Sequence, residues 1–317
     1  MNPVLNPLNV HMYLTPLCNL ACSHCYYDAK RIGDDPGRML SVDDVVDTIS
    51  WLCKKFEADL HLEGGEIFLR PDLDQIFAKL APEYLSLLTV TTSGIVPMQV
   101  SKERLRALGD LRISVEGHTD ELQQMLRPAN LDRVFRTTEM LRTNAIPFSL
   151  RVTLHRANVR KIQEMITSFV ARGVERISFF EYQPVGRGLA QINQHTLSDA
   201  DFEFVLDTLI QEPLNPLLRV LKLSLSQRRV AMALERQSML EDQGFKFIEL
   251  TAIPNLTINS NGDLGISPWL ATATKLHDCF ANIFETDFRT EIERRFISDE
   301  SRVPCPYTSE FLLRYKV

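Results

Sequence analysis

Three of the six cysteines in this 317-residue chain fall within eight positions, as Cys18, Cys22 and Cys25 of LCNLACSHCYY. A thiolate is a soft ligand, and a CxxxCxxC spacing puts three of them on one short loop. Structural zinc normally takes four ligands, commonly as two separated pairs, and no second Cys or His pair follows at finger-like distance. Three thiolates suit a 4Fe-4S cube that leaves one iron open to an exogenous chelator, which makes a reactive cluster rather than a purely structural one. The other thiols, Cys53, Cys279 and Cys305, are scattered. Cys53 falls on the apolar stripe of an amphipathic segment, where a buried structural thiol is expected.

Such a loop needs a rigid support, and the first two thirds of the chain spell one out. VHMYLT (10–15) reads as a buried strand, and SVDDVVDTISWLCKKF (41–56) repeats Val42, Val45, Val46, Ile49, Cys53 and Phe56 at helical spacing behind a Ser41 cap. DLHLEGGE (59–66) is a strand ending in glycines, and Pro71 opens the next helix. The rhythm continues with strands at 85–94, 111–117, 147–155 and 175–183 and helices at 101–109, near 120–144, and up to the Gly173 stop. Six β-then-α steps predict a parallel sheet, curled or doubly wound, with chemistry on the loops at the C-terminal strand ends. After PVGRG (184–188) the rhythm breaks into a capped helix (TLSDADFEFVLDTLIQ), another helix (RRVAMALERQSMLED) and a hairpin over 256–266 with Asn261-Gly262 as its tight turn. A boundary near residue 190 therefore separates residues 1–190 from a smaller α+β extension, 191–317.

The charge balance of 35 basic against 41 acidic residues gives −6, with both signs mixed along the chain, which argues against a nucleic-acid partner. No run approaches the roughly 18 apolar residues of a membrane span, and the N-terminus lacks a secretory signal. A cytoplasmic protein is expected, whose thiols stay reduced.

The three-cysteine loop at the end of the first strand, with the motifs that follow it in order, resembles the radical S-adenosylmethionine (SAM) superfamily. The resemblance covers roughly residues 8–190 and implies a partial (β/α)6 TIM-like barrel. It implies one 4Fe-4S cluster on Cys18, Cys22 and Cys25, with the fourth iron chelated by the amino and carboxylate groups of SAM. One electron, from a reductant such as flavodoxin or ferredoxin, then cleaves SAM to methionine and a 5′-deoxyadenosyl radical that abstracts hydrogen from a substrate. Gly64, Gly65 and Glu66 match the glycine-rich motif at the SAM amino group. TTSG (91–94) matches the third-strand ending, and ISVEG, with Ser114 and Glu116, the motif facing the ribose or methionine part. Arg151 is the implied partner of the SAM carboxylate, with an ordinary ion pair as the other reading, and Thr153 is a second contact. FFEYQPVGRG, including Val185, matches the segment lining the adenine. The position before the third cysteine, often aromatic in the family, is His24, whose backbone can meet the adenine. Tyr26 and Tyr27 read as packing residues of the loop, and His11 and His61 as packed strand histidines.

The C-terminal third resembles the SPASM or twitch extension of peptide- and sugar-modifying members, which binds auxiliary clusters through several cysteines. Here the place where a cysteine is often found holds Ser267 and Pro268, and Cys279 and Cys305 cannot complete a four-cysteine cluster. The expected extension keeps the shape and lacks the metals. With no auxiliary electron acceptor, a redox-neutral epimerisation is favoured, Cys279 or Cys305 returning the hydrogen, or else both serving structure; net oxidation through the SAM cluster is the other course. The implied substrate is a ribosomally made peptide, although only about ten residues precede the first strand, too few for an N-terminal peptide-recognition domain. The alternatives are a small molecule such as an aminoglycoside or sugar, and a non-catalytic iron–sulfur protein.

Overall fold

The computed structural model describes residues 6–212, 216–249, 253–285, 287–297 and 311–316. Strands β1 (Asn6–Tyr13), β2 (Phe56–Glu63), β3 (Leu88–Thr92), β4 (Asp110–Val115), β5 (Phe148–Leu154) and β6 (Arg176–Glu181) are the six expected ones. Further strands are β7 (Val220–Leu225), β8 (Phe245–Glu249), β9 (Asn255–Ile258), β10 (Asp263–Gly265), β11 (Ala281–Asn282) and β12 (Phe311–Lys316). All twelve join one sheet in the order β8-β12-β7-β6-β5-β4-β3-β2-β1-β9-β10-β11. From β7 through β9 every pairing is parallel, and the remaining ones are antiparallel. The fold is mixed α/β around a parallel sheet. The chain beyond residue 190 extends this sheet at both edges, β7 beside β6 and β9 beside β1.

Each central strand alternates between two unlike faces. Leu8, Val10 and Met12 of β1, Leu60 and Leu62 of β2, Val90 of β3 and Ile113 of β4 are buried on one face. They join a core with Val45, Ile49 and Leu52 of helix α1 (Val42–Lys55) and Ile76 and Phe77 of α2 (Leu73–Lys79). Burying each such side chain contributes about 1.5–3 kcal/mol, so this layer holds the sheet to its helices. The opposite face is polar, and the parallel register aligns its residues strand by strand. Asn9 stands beside Asp59 and Asn255, His11 beside His61 and Thr257, and Tyr13 beside Glu63. Ser114 stands beside Arg151, which in turn neighbours Ser178. In a flat sheet Glu63 on β2 and Arg151 on β5, three strands apart, would be about 14 Å from each other. Their charged ends meet at 3.6 Å across the polar face.

Local signals place several helix ends. Ser41 caps α1 in a capping box, its Oγ accepting from Asp44 N at 3.2 Å while the Asp44 carboxylate accepts from Ser41 N at 2.9 Å. Gly173, at φ +78°, follows the helix Ile162–Ala171. Three expectations are corrected. The single long helix near 120–144 is two, α3 (Asp120–Leu126) and α4 (Leu131–Thr143), because Pro128 supplies no N–H and disfavours helical backbone at Arg127, while Asn130 caps the second helix. The hairpin turn spans Ser260, Asn261 and Gly262 under the Asn259 N to Asp263 O bond, and Gly262 alone of the three has positive φ. The helix expected over RRVAMALERQSMLED breaks into Gln227–Leu234 and Gln237–Asp242. Among the described residues no helix is long and apolar enough to cross a membrane.

Candidate functional site

The cysteine loop leaves the C-terminal end of β1 and is pinned by backbone from four directions. Gly65 N donates to Thr15 O and Glu66 N to Leu17 O, both at 2.8 Å, Ser23 N donates to Leu126 O at 2.9 Å, Arg187 N to Cys25 O at 3.0 Å, and Ala273 N to Tyr27 O at 2.8 Å. Two glycines make the approach possible. A Cβ at Gly65 would lie 2.2 Å from Leu17 O, and one at Gly186 (φ +56°) would lie 2.3 Å from Tyr26 O.

Cys18 and Cys22 are buried and Cys25 half-buried, all three as free thiols on the wall of one cavity. Burial pushes the Cys18 thiol up to about 12 and raises that of Cys22, so a metal's positive charge is what would make them thiolates. Among the described residues no three His, Cys, Asp or Glu side chains are grouped to hold a single metal ion. Three cysteine thiols on the wall of one cavity are a soft donor set, and they fit an iron–sulfur cube with one thiolate per iron.

The cavity opens at the C-terminal strand ends. Gly64, Gly65, Ser114, Glu116, Arg151, Thr153 and His24 line it with the three cysteines, so most of the expected site residues come together. Glu116 is the hub of one side. Its Oε1 accepts from Arg127 Nε (3.0 Å) and Nη2 (2.9 Å) and lies 3.1 Å from His24 Nε2, while Oε2 accepts from Thr153 N at 3.2 Å. Burial opposes ionisation there, yet His24 and Arg127 outweigh it and hold the carboxyl at about 2.

Other expected residues stand elsewhere. Glu66 is buried off the cavity lining, its carboxylate bound by Thr92 Oγ1 (2.7 Å), Ser93 N (2.9 Å), Ser93 Oγ (2.5 Å) and Phe68 N (3.2 Å), so it ties the glycine turn to the end of β3. Val185 caps the short helix Gly186–Gln191 and is also absent from the lining. Cys279 is exposed, donates its Sγ–H to Ala281 O at 3.2 Å, and does not line the cavity. Cys305 lies outside the described residues.

The cavity also holds residues that the motif pattern passed over. Tyr26 lines it and donates its OH to Glu63 Oε2 at 2.7 Å, with Tyr13 OH donating to the Tyr26 oxygen at 3.3 Å. Burial opposes ionisation of Glu63, but His11 and Arg151 outweigh it and hold the carboxyl below the usual range. Arg151 lies 4.1 Å over the Phe180 ring as well as 3.6 Å from Glu63 Oε1. Trp269, from the short turn Pro268–Leu270, reaches the cavity edge-on to Tyr26, with centroids 5.1 Å apart. The alternation of Asp59, His61 and Glu63 with Leu60 and Leu62 was the one sequence signal for Glu63.

Residues 12–169 match the sequence model of the Radical SAM superfamily. The chain belongs to the radical SAM superfamily. It is 30% identical over 219 residues to the GTP 3′,8-cyclase of Aquifex aeolicus, covering 65% of this chain and 63% of that protein. It is 28% identical over 203 residues to the PqqA peptide cyclase of Xanthomonas campestris pv. campestris, covering 60% and 50%. The chain thus spans between half and two thirds of the curated relatives it matches. The solved structure of Streptococcus suis SuiB bound to precursor peptide SuiA shares the fold, with a TM-score of 0.68 and 16% identity over 90% of this chain and 64% of that one.

Proposed function

We propose that this radical SAM protein is an enzyme that modifies a ribosomally made peptide. In this reading Cys18, Cys22 and Cys25 hold one 4Fe-4S cluster, and Gly64, Gly65, Ser114, Glu116, Arg151, Thr153 and His24 surround SAM. The cluster and SAM, when bound, supply a 5′-deoxyadenosyl radical that removes a hydrogen atom from the substrate. The observation that carries the reading is that these side chains, from the ends of separate strands, face one cavity whose mouth lies beside them. Two similarities support a peptide: the relative named as a peptide cyclase and the fold shared with SuiB, which was solved with a precursor peptide.

The charges of the cavity bear on the alternative. Glu63 and Glu116, both lining it, are paired with Arg151 and Arg127, and Glu181 with the buried Arg229. The acids are already neutralised locally, which suits an uncharged backbone segment better than the ammonium groups of an aminoglycoside. The Aquifex relative, named for GTP, keeps a small-molecule substrate as the second reading.

Anaerobic reconstitution followed by dithionite should yield 5′-deoxyadenosine, and a fully loaded protein that never cleaves SAM would leave only the non-catalytic iron–sulfur alternative. Co-expression with a short peptide encoded beside the gene tests the substrate, read as a change in peptide mass or, in deuterated water, as one deuterium at an epimerised carbon. Cys279 stands off the cavity, so a thiol hydrogen donor is tested with Cys305→Ala.

A further inference from the structure

The break between α3 and α4 delivers an arginine to the cysteine loop. Leu126, the last residue of α3, turns its carbonyl onto that loop, where it accepts from Ser23 N (2.9 Å), Ser23 Oγ (3.4 Å) and His24 Nδ1 (3.3 Å). The next residue, Arg127, is held extended (φ −123°, ψ 109°) by the following Pro128. Its side chain enters the cavity that the three thiols line and is 14% exposed.

Arg127 is fixed there. Two of its N–H groups donate to the same Glu116 oxygen, and Glu116 is immobilised in turn by its own backbone N–H donating to Gln123 Oε1 at 2.7 Å and by the Thr153 N–H on its second oxygen. A guanidinium stays protonated at any working pH, so this charge is permanent.

We propose that Arg127, clamped by Glu116, is a positioning residue that sets the reduction potential of a cluster on Cys18, Cys22 and Cys25. A fixed positive charge in a site screened from water favours the more negative, reduced cluster and raises its potential, which eases entry of one electron from an external one-electron reductant. The assignment rests on the cluster reading given above.

The test is anaerobic dye-mediated redox titration of the reconstituted full chain, followed by electron paramagnetic resonance without substrate, beside iron and acid-labile sulfide content. Arg127→Gln should load iron as the wild type does and show a more negative midpoint, with Arg127→Lys returning most of the difference. Glu116→Gln, which removes the anion and keeps the arginine, should shift the midpoint the opposite way. A fully loaded Arg127→Gln protein with an unmoved midpoint overturns the proposal. If Arg127→Gln loads poorly, the double variant Arg127→Gln/Glu116→Gln, which removes the buried pair together, decides: a midpoint below that of Glu116→Gln supports the charge assignment, and an equal one leaves Arg127 a structural role only. A wild-type chain that takes up no cluster removes the cluster reading itself, which separates that failure from failure of Arg127.

Discussion

Substituting Gly65 by alanine places one methyl group against the backbone that carries the first cysteine. The new Cβ would lie 2.2 Å from Leu17 O, 2.4 Å from Leu17 C and 2.9 Å from Cys18 N. Ordinary carbon contacts begin near about 3.5 Å, so the strand end must retreat by roughly 1 Å. None of the three atoms is the free end of a side chain, and the Gly65 N to Thr15 O and Glu66 N to Leu17 O bonds hold the two segments together, so the strain cannot be relieved by rotation. Overpacking of this kind costs about 1–3 kcal/mol, which lowers Tm by about 2–4 °C per kcal/mol. The larger effect falls on the site, since a displacement of about 1 Å costs on the order of 10²-fold where groups must meet in fixed geometry. Gly65→Ala should therefore fold, melt slightly early, and retain a small fraction of the wild-type iron after anaerobic reconstitution. Gly37→Ala is the control, because Gly37 has φ +70° but nothing within 4 Å of its Cβ, so it carries backbone strain without touching the loop. Equal iron content and equal SAM cleavage in Gly65→Ala and the wild type would refute the close-approach argument.

Single alanine replacements of Cys18, Cys22 and Cys25 should each abolish the cluster absorbance, whereas Cys279→Ala should keep wild-type iron content; a loss of four irons per chain in the latter would reveal a second cluster. Glu66→Gln forfeits the charge-assisted bonds to Thr92 and Ser93, and a drop of about 2–4 kcal/mol in urea unfolding is expected. Glu116 supplies a pH signature in the apo protein. Its carboxyl is held at about 2 against an ordinary 4.5, so its contribution is complete above 4.5 and fades as the pH falls through about 2. The total is about 3 kcal/mol, with about 2 kcal/mol already gone at pH 3. Unfolding midpoints of Glu116→Gln should show a correspondingly flatter acid limb, and identical limbs would contradict the clamp.

The parts of the site that were legible in the sequence are those written locally. Three cysteines on one loop, the GGE turn and the strand-end Ser114 and Glu116 can be read from spacing because each sits at or just past the C-terminal end of a strand. The Glu66 placement shows the limit of such reading. A carboxylate beside two glycines suits a ligand's ammonium, but here the end of β3 supplies three donors, from Thr92 and Ser93, a fact that depends on strand order. Arg127 was hidden for a different reason: apolar periodicity ran through Pro128, so a helix interior was expected where the chain turns into the cavity. The outer strands beyond residue 190 were beyond reach because their pairings join distant segments, as with His11 beside Thr257. The hairpin itself was visible, and only its turn was one residue longer than the Asn-Gly pair suggested.

The two unlike faces of the central strands divide the protein's inheritance as well as its volume. Leu60, Leu62 and Val90 belong to the layer shared with the helices, while His61, Glu63 and Thr91 belong to the concave side. Because the two sets alternate along the same strands, a lineage can rewrite its concave residues one at a time with little disturbance to the layer that keeps it folded. The same sheet can then be adapted by substitution at every second position, while the backbone that holds the cysteine loop stays as it is.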